Sequence, residues 1–255
     1  MINKYISLNV MIVIMLISSN SLEQDQKKNI CPDDMIEIKG IYCPAVIQEC
    51  IDIDKSVHNV NGFVRCMKFA KSKCIVPINK RISLDFCIDK YESPNQENVK
   101  PTIMTSWYDF KADFEAHGKR LCEDYEWTFA CEGSDMLPYP YGYERDDTAC
   151  NIDHNQMAWF DAAHSNMNME IALKLDQRVP SGSMPRCVSP FGVFDMTGNI
   201  DEWVLNSSGK PYNSGLMGGH WVKGARNRCR PETTIHGPTT VYYQMGSRAC
   251  KDIAN

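Results

Sequence analysis

A chain of 255 residues with 43% hydrophobic and 23% charged side chains has an ordinary globular composition, long enough for one large domain or two small ones. As a single domain it would bury roughly 70–75% of its unfolded surface, enough for a real core. The formal net charge of -5 leaves no basic stripe to neutralise phosphates, which argues against nucleic acid as a partner.

The first residues read as an export signal. Lys4 supplies a positive start, Ile6 to Ile17 form a short apolar run, and Ser19, Asn20 and Ser21 offer small residues, so residues 1–21 are expected to be cleaved off. A spanning helix needs about 20 apolar residues. This run has 12 positions, two of them Ser7 and Asn9. No cysteine follows it directly, which gives no support to a lipid-attached form, and no second such run comes later. The mature form is expected not to span a membrane, and to be secreted, periplasmic or part of the cell envelope. All twelve cysteines lie beyond the cut, and an even count in an exported chain argues for disulfides. Zinc would want closely paired ligands, and no C-x-x-C occurs.

Residues 22–30 are polar and charged, a flexible lead-in. From Cys31 to Cys87 six cysteines fall in 57 residues, with short β-like pieces such as Met35–Ile38, a density that predicts loops held by bridges. The clearest helix follows. Ser106 can cap it, Trp107, Phe110 and Phe114 recur at helical spacing, and Gly118 can end it. A second helix is predicted from Glu123 to Cys131, with Trp127 and Ala130 facing inward and Gly133 as its stop. Beyond it prolines and glycines dominate, with short strands expected around Phe191–Phe194, Glu202–Leu205 and His220–Val222. Few helices, short strands and long loops together describe an irregular, loop-rich α+β fold. Loops of that length are unusual in a compact domain unless they are functional or cross-linked. Asn206-Ser207-Ser208 also matches an N-glycosylation acceptor, a pattern common by chance.

Several segments, in order, resemble the formylglycine-generating (sulfatase-modifying factor) family. Tyr91-Glu92-Ser93-Pro94-Asn95 is similar to its "YEVTN" strand end. Ser106-Trp107 followed by Gly118-Lys119-Arg120-Leu121 and Glu126-Trp127 resembles its "SW…GKRLPTEAEWE" helix pair. Tyr139-Pro140-Tyr141-Gly142 and then Asn151 resemble "YPWG…AN". Phe191 to Trp203, FGVFDMTGNIDEW, stands against "GLYDMxGNVWEW". Gly218-Gly219-His220-Trp221 stands where the family has "GGSW", and Gly246-Ser247-Arg248 where it has "GFR". The resemblance implies a C-type-lectin-like fold over 31–255, with residues 43–86 as a cysteine-rich elaboration after the opening strand.

The family's enzymes oxidise a substrate cysteine to formylglycine with two copper-binding cysteines shortly after "GGS", a soft thiolate pair that suits Cu(I). Here Gly218 to Cys229 holds one cysteine. Cys229 follows Arg226-Asn227-Arg228 and so matches the family's structural cysteine, and His220 replaces the active-site serine. Copper and the oxidase mechanism are therefore not expected. The resemblance implies that Cys131 pairs with Cys229. Cys122 and Cys250 stand near the places of another family bridge and are expected to be bonded instead; the partners of the other eight cysteines stay open.

The resemblance further implies a structural calcium ion held by Asp195, the carbonyls of Gly198 and Ile200, and Glu202, oxygen ligands that suit a hard cation. A second ion would use Asn151 and the carbonyl of Ile152. The alternative is that these carboxylates cap turns. No organic cofactor is expected, and Trp107, Trp127, Trp203 and Trp221 read as core. His220, Arg226 and Arg228, with His236 across the groove, are the candidates for any chemistry, although a lone histidine is more often structural. Three functions stay open: an exported non-oxidase that binds a ligand or envelope protein in the groove; an enzyme using other residues there, with a metal other than copper; and a structural envelope protein.

Overall fold

The computed structural model describes residues 30–56, 64–155, 170 and 174–253; the expected signal segment 1–21 and the lead-in up to residue 29 lie outside them. β1 (Met35–Tyr42) pairs antiparallel with β6 (Ile82–Asp89) along its whole length, from Met35 opposite Asp89 to Tyr42 opposite Ile82. β11 (Ala249–Asp252) then joins β6 to the short β7 (Arg120–Leu121), giving the order β1-β6-β11-β7. A second sheet has β8 (Asp201–Leu205) between the antiparallel β9 (Ser214–Met217) and the parallel β10 (Met245–Ser247).

Two helices pack on these sheets. α1 (Trp107–Ala116) starts at Ser106 in a capping box: the Ser106 hydroxyl accepts from the Asp109 amide, and the Asp109 carboxylate accepts from Ser106. It ends where Gly118 takes a φ of 66°. Its apolar stripe, Trp107, Phe110 and Phe114, packs with Leu121, Trp203 and Leu216. α2 (Asp124–Glu132) stops at Gly133, φ 64°, and packs Trp127, Phe129 and Ala130 into the larger core against Ile38, Phe86 and Ile88.

Between β1 and β6 lie two small ribbons, β2 (Val46–Ile47) with β5 (Lys73–Cys74) and β3 (Cys50–Ile53) with β4 (Cys66–Phe69). Bridges Cys43–Cys74 and Cys50–Cys66 staple them, and Cys31–Cys87 ties the chain ahead of β1 to β6. Cys122–Cys250, Cys131–Cys229 and Cys150–Cys187 hold the rest, so every cysteine is bonded. The architecture is the loop-rich, disulfide-stapled α+β fold expected. Two expected strands shrink to single bridges among loops: Phe194 pairs only with Val188, and Val222 only with His154. Gly192 has a φ of 93°, and Gly218 and Gly219, just before His220, have 83° and 67°, left-handed values that break a ladder. The Asn206 amide is buried and donates to the carbonyls of Lys210 and Tyr212, so the glycosylation pattern there presents no free acceptor. Among the described residues no helix is long and apolar enough to cross a membrane.

Candidate functional site

The loop from Gly218 to Cys229 follows β9 and lies beside the start of β8. Gly219 has to be glycine, since a Cβ there would sit 2.9 Å from the Asn227 amide nitrogen. That amide donates to the His220 carbonyl, while Asn227 Oδ1 accepts from Arg145 at 3.1 Å, so the loop is pinned across its base. Arg145 is held by Asp153 at 2.7 and 2.8 Å, and Asp153 also pairs with Arg65.

At the head of β8, Asp201 is buried and gathers two loop residues. Arg226 Nη2 reaches both of its oxygens at 2.8 and 2.9 Å, and His220 Nδ1 lies 3.3 Å from Oδ2. Burial pushes the Asp201 carboxyl up, but Arg226 and then His220 outweigh it and hold it well below the usual carboxylate range. His220 and Arg226 remain partly open and line a cavity of about 160 Å³ with Gly219, Val222, Lys223 and Ala225. Behind them the buried Trp221 packs at a tilt against Tyr243 with ring centroids 5.6 Å apart. His236 rests edge-on against Tyr242; burial lowers its pKa, and it feels Asp201 and Arg226 in opposite senses. The structure thus brings His220 and Arg226 together on one carboxylate. Arg228 stands apart, over the Phe69 ring at 5.1 Å.

Sequence reading missed Asp201. Its signal was available: the family motif has a tryptophan where Asp201 stands, and a serine where His220 stands. The two departures meet in space as an acid and the imidazole it orients.

Neither copper nor a calcium ion on Asp195 and Glu202 fits the residues present. The copper site needs a thiolate pair, and the one cysteine of this loop, Cys229, is bonded to Cys131 and buried. Calcium was expected on Asp195, Gly198, Ile200 and Glu202. Here Glu202 gives both oxygens to the Arg248 guanidinium at 2.7 Å and accepts from Trp127 Nε1 at 2.8 Å. Asp195 accepts from the Gly182 amide at 2.7 Å. Both acids and Arg248 are buried, so the positive charge a divalent ion would bring is already supplied by a side chain. A third buried acid, Glu92, accepts from Ser181 and Asn199, each at 2.8 Å. Burial first, then Asp195 and Glu202, raise its pKa well above normal, and burial pushes Asp195 up to about 6. Gly198 serves packing: a Cβ there would lie 2.3 Å from the Asn151 carbonyl oxygen. At the second expected site the Asn151 side-chain NH2 donates to Gln177 and Asn199, and the acid that follows, Asp153, pairs with Arg145 and Arg65. Among the described residues no three His, Cys, Asp or Glu side chains converge as a metal cluster.

Fold and motifs together define a sulfatase-modifying-factor-like domain in which the cysteine of the Gly218–Cys229 loop is disulfide-bonded. Residues 52–253 match the family described as the sulfatase-modifying factor enzyme 1-like domain, and the chain belongs to that family. Among solved structures it is similar to CarF, at 14% identity over 88% of this chain and 99% of CarF, with a TM-score of 0.57. It is also similar to PvdO from Pseudomonas aeruginosa, at 15% identity over 88% of this chain and 95% of PvdO, with a TM-score of 0.51. At such identities the likeness shows the fold. A stretch of 104 residues is 31% identical to the serine/threonine-protein kinase pkn1 of Chlamydia caviae; it takes in 40% of this chain and 13% of that relative.

Proposed function

We propose that this is an exported, non-oxidase member of the family that binds a ligand or an envelope protein at the His220–Asp201–Arg226 cavity. One observation carries the reading: all twelve cysteines are consumed in six bridges, leaving no thiolate for Cu(I) in the loop where the family's oxidases keep theirs. Six bridges also suit an oxidising compartment, in keeping with the export signal read at residues 1–21. The test supplies copper, oxygen and a peptide containing Cys-x-Pro-x-Arg and follows the peptide by mass spectrometry. The reading expects no aldehyde; catalytic aldehyde formation would return the chain to the oxidase class.

A second reading, an acid–base enzyme, is favoured by the His220–Asp201 contact. An acid on Nδ1 fixes the imidazole tautomer and leaves Nε2 as the basic atom facing the cavity. Acylation of histidines by diethyl pyrocarbonate distinguishes the two. An acid–base site should make His220 react faster than the exposed His117 and should lose that advantage in Asp201→Asn; equal rates would leave the binding role.

A further inference from the structure

The segment between β1 and β6 differs from the rest of the chain in charge and in surface. Residues 41–82 carry seven Lys and Arg against three Asp and Glu, a net +4 in a chain whose total is -5. Seven of the twelve exposed large hydrophobic side chains found among the described residues fall in it, and all seven are isoleucines. Exposed apolar side chains gathered in one segment, where they share a face, are the kind of surface that marks an interaction site.

The ribbon register places them. Val46 pairs with Cys74 and Ile47 with Lys73, and the Ile75 amide bonds the Ala45 carbonyl. Side chains alternate across a strand, so Cys74 turns toward its bridge with Cys43 while Ile47, Lys73 and Ile75 share the outer face. The chain then crosses Pro77 into a single 3-10 turn, Ile78–Lys80, that buries none of its residues. Ile75 is 61% and Ile78 is 68% exposed. Lys71, Lys73 and Lys80 flank this tip, are exposed, and form no ion pair among the described residues. An apolar tip held rigid by a disulfide and ringed by unpaired lysines complements one kind of surface, apolar beneath and anionic on top. The isoleucines would enter the acyl boundary while the lysines reach up to phosphates.

We propose that the Ile75–Ile78 tip docks the protein on an anionic lipid surface. The test measures binding of the purified chain to phosphatidylglycerol–phosphatidylcholine vesicles and to pure phosphatidylcholine vesicles. It compares wild type with Ile75→Ser/Ile78→Ser and with Lys71→Gln/Lys73→Gln/Lys80→Gln, checking by thermal melts that all three forms fold alike. Residues ahead of Ile30 are common to all forms, so the difference from wild type is what reports on the tip. The isoleucine variant should bind the anionic vesicles at least tenfold more weakly. The lysine variant should lose roughly fivefold per lysine, and raising the salt should weaken wild type in the same direction. A tryptophan placed by Ile78→Trp should shift its emission to the blue on anionic vesicles. Three outcomes would overturn the proposal: binding unchanged in the isoleucine variant, a difference from wild type that is the same on neutral and anionic vesicles, or a self-association that the same substitutions abolish, which would make a second copy the occupant.

Discussion

Replacing Arg248 by methionine tests whether a side chain, and not a metal, neutralises the acids beneath the signature motif. Arg248 is buried, spans both oxygens of Glu202, and sits within electrostatic reach of Glu92 and Asp195. Methionine keeps much of the volume and removes the charge, leaving three buried acids with no guanidinium. Breaking a buried pair from one side costs about 3–5 kcal/mol. For a domain of this size that lowers Tm by roughly 6–20 °C. The loss should also depend on pH in a definite sense. Asp195, with a pKa pushed up to about 6, and Glu92, raised well above normal, hold protons in the folded state that the unfolded chain has already released. Such groups contribute stability below their unfolded pKa values, and that contribution fades as pH rises through the folded values. Without Arg248 these values rise further, so the deficit near pH 7.5 should exceed that near pH 5, by about 1.4 kcal/mol for each pKa unit of further rise. Circular dichroism melts at the two pH values, with and without calcium or EDTA, provide the assay. Wild type should ignore both additions. The reasoning is refuted if Arg248→Met melts within about 2 °C of wild type, if its deficit is larger at the lower pH, or if calcium stabilises wild type.

Three further outcomes follow from named contacts. Asp201→Asn removes the anchor of His220 and Arg226 and should destabilise by about 2–4 kcal/mol at neutral pH. Because the Asp201 carboxyl is held low, its contribution is present above the usual aspartate pKa and lost as pH falls through the folded value, so urea titrations should show the two proteins converging in acid. Cys122→Ser/Cys250→Ser opens a bridge of sequence separation 128 and should cost about 5 kcal/mol, against about 3 kcal/mol for Cys50→Ser/Cys66→Ser at separation 16, again read by urea titration. Gly198→Ala puts a methyl group against the Asn151 carbonyl at a φ of 79° and should lower Tm by roughly 6 °C or more, since both the overlap and the backbone conformation oppose it.

What could be read from the residues depended on how local the cause was. α1 was legible to its ends because cap, stripe and stop all lie within Ser106 to Gly118. The short strands β9, β10 and β11 were not, since Ser214–Met217, Met245–Ser247 and Ala249–Asp252 show no clean alternation and form through partners far along the chain. The motif around Asp195 and Glu202 was visible, but its meaning turned on Arg248, 46 residues downstream, whose guanidinium occupies the carboxylate. Asp201 was overlooked for the same reason: its partners His220 and Arg226 sit on a loop 19 and 25 residues away. The bridge between Cys131 and Cys229 was reachable because both cysteines stand beside family motifs. The pairings inside residues 31–87 were not, because spacing alone leaves many connectivities open.

The account rests on there being no thiol in the reaction loop, and a thiol count addresses this most directly. The purified protein is unfolded in denaturant without reductant, treated with a maleimide and weighed intact, then digested to locate any label. All twelve cysteines paired predicts no label, with Cys229 recovered only in a peptide linked to Cys131. A label on Cys229, together with a second labelled cysteine, would give this chain the thiol pair that copper needs and would contradict the reading of it as a non-oxidase.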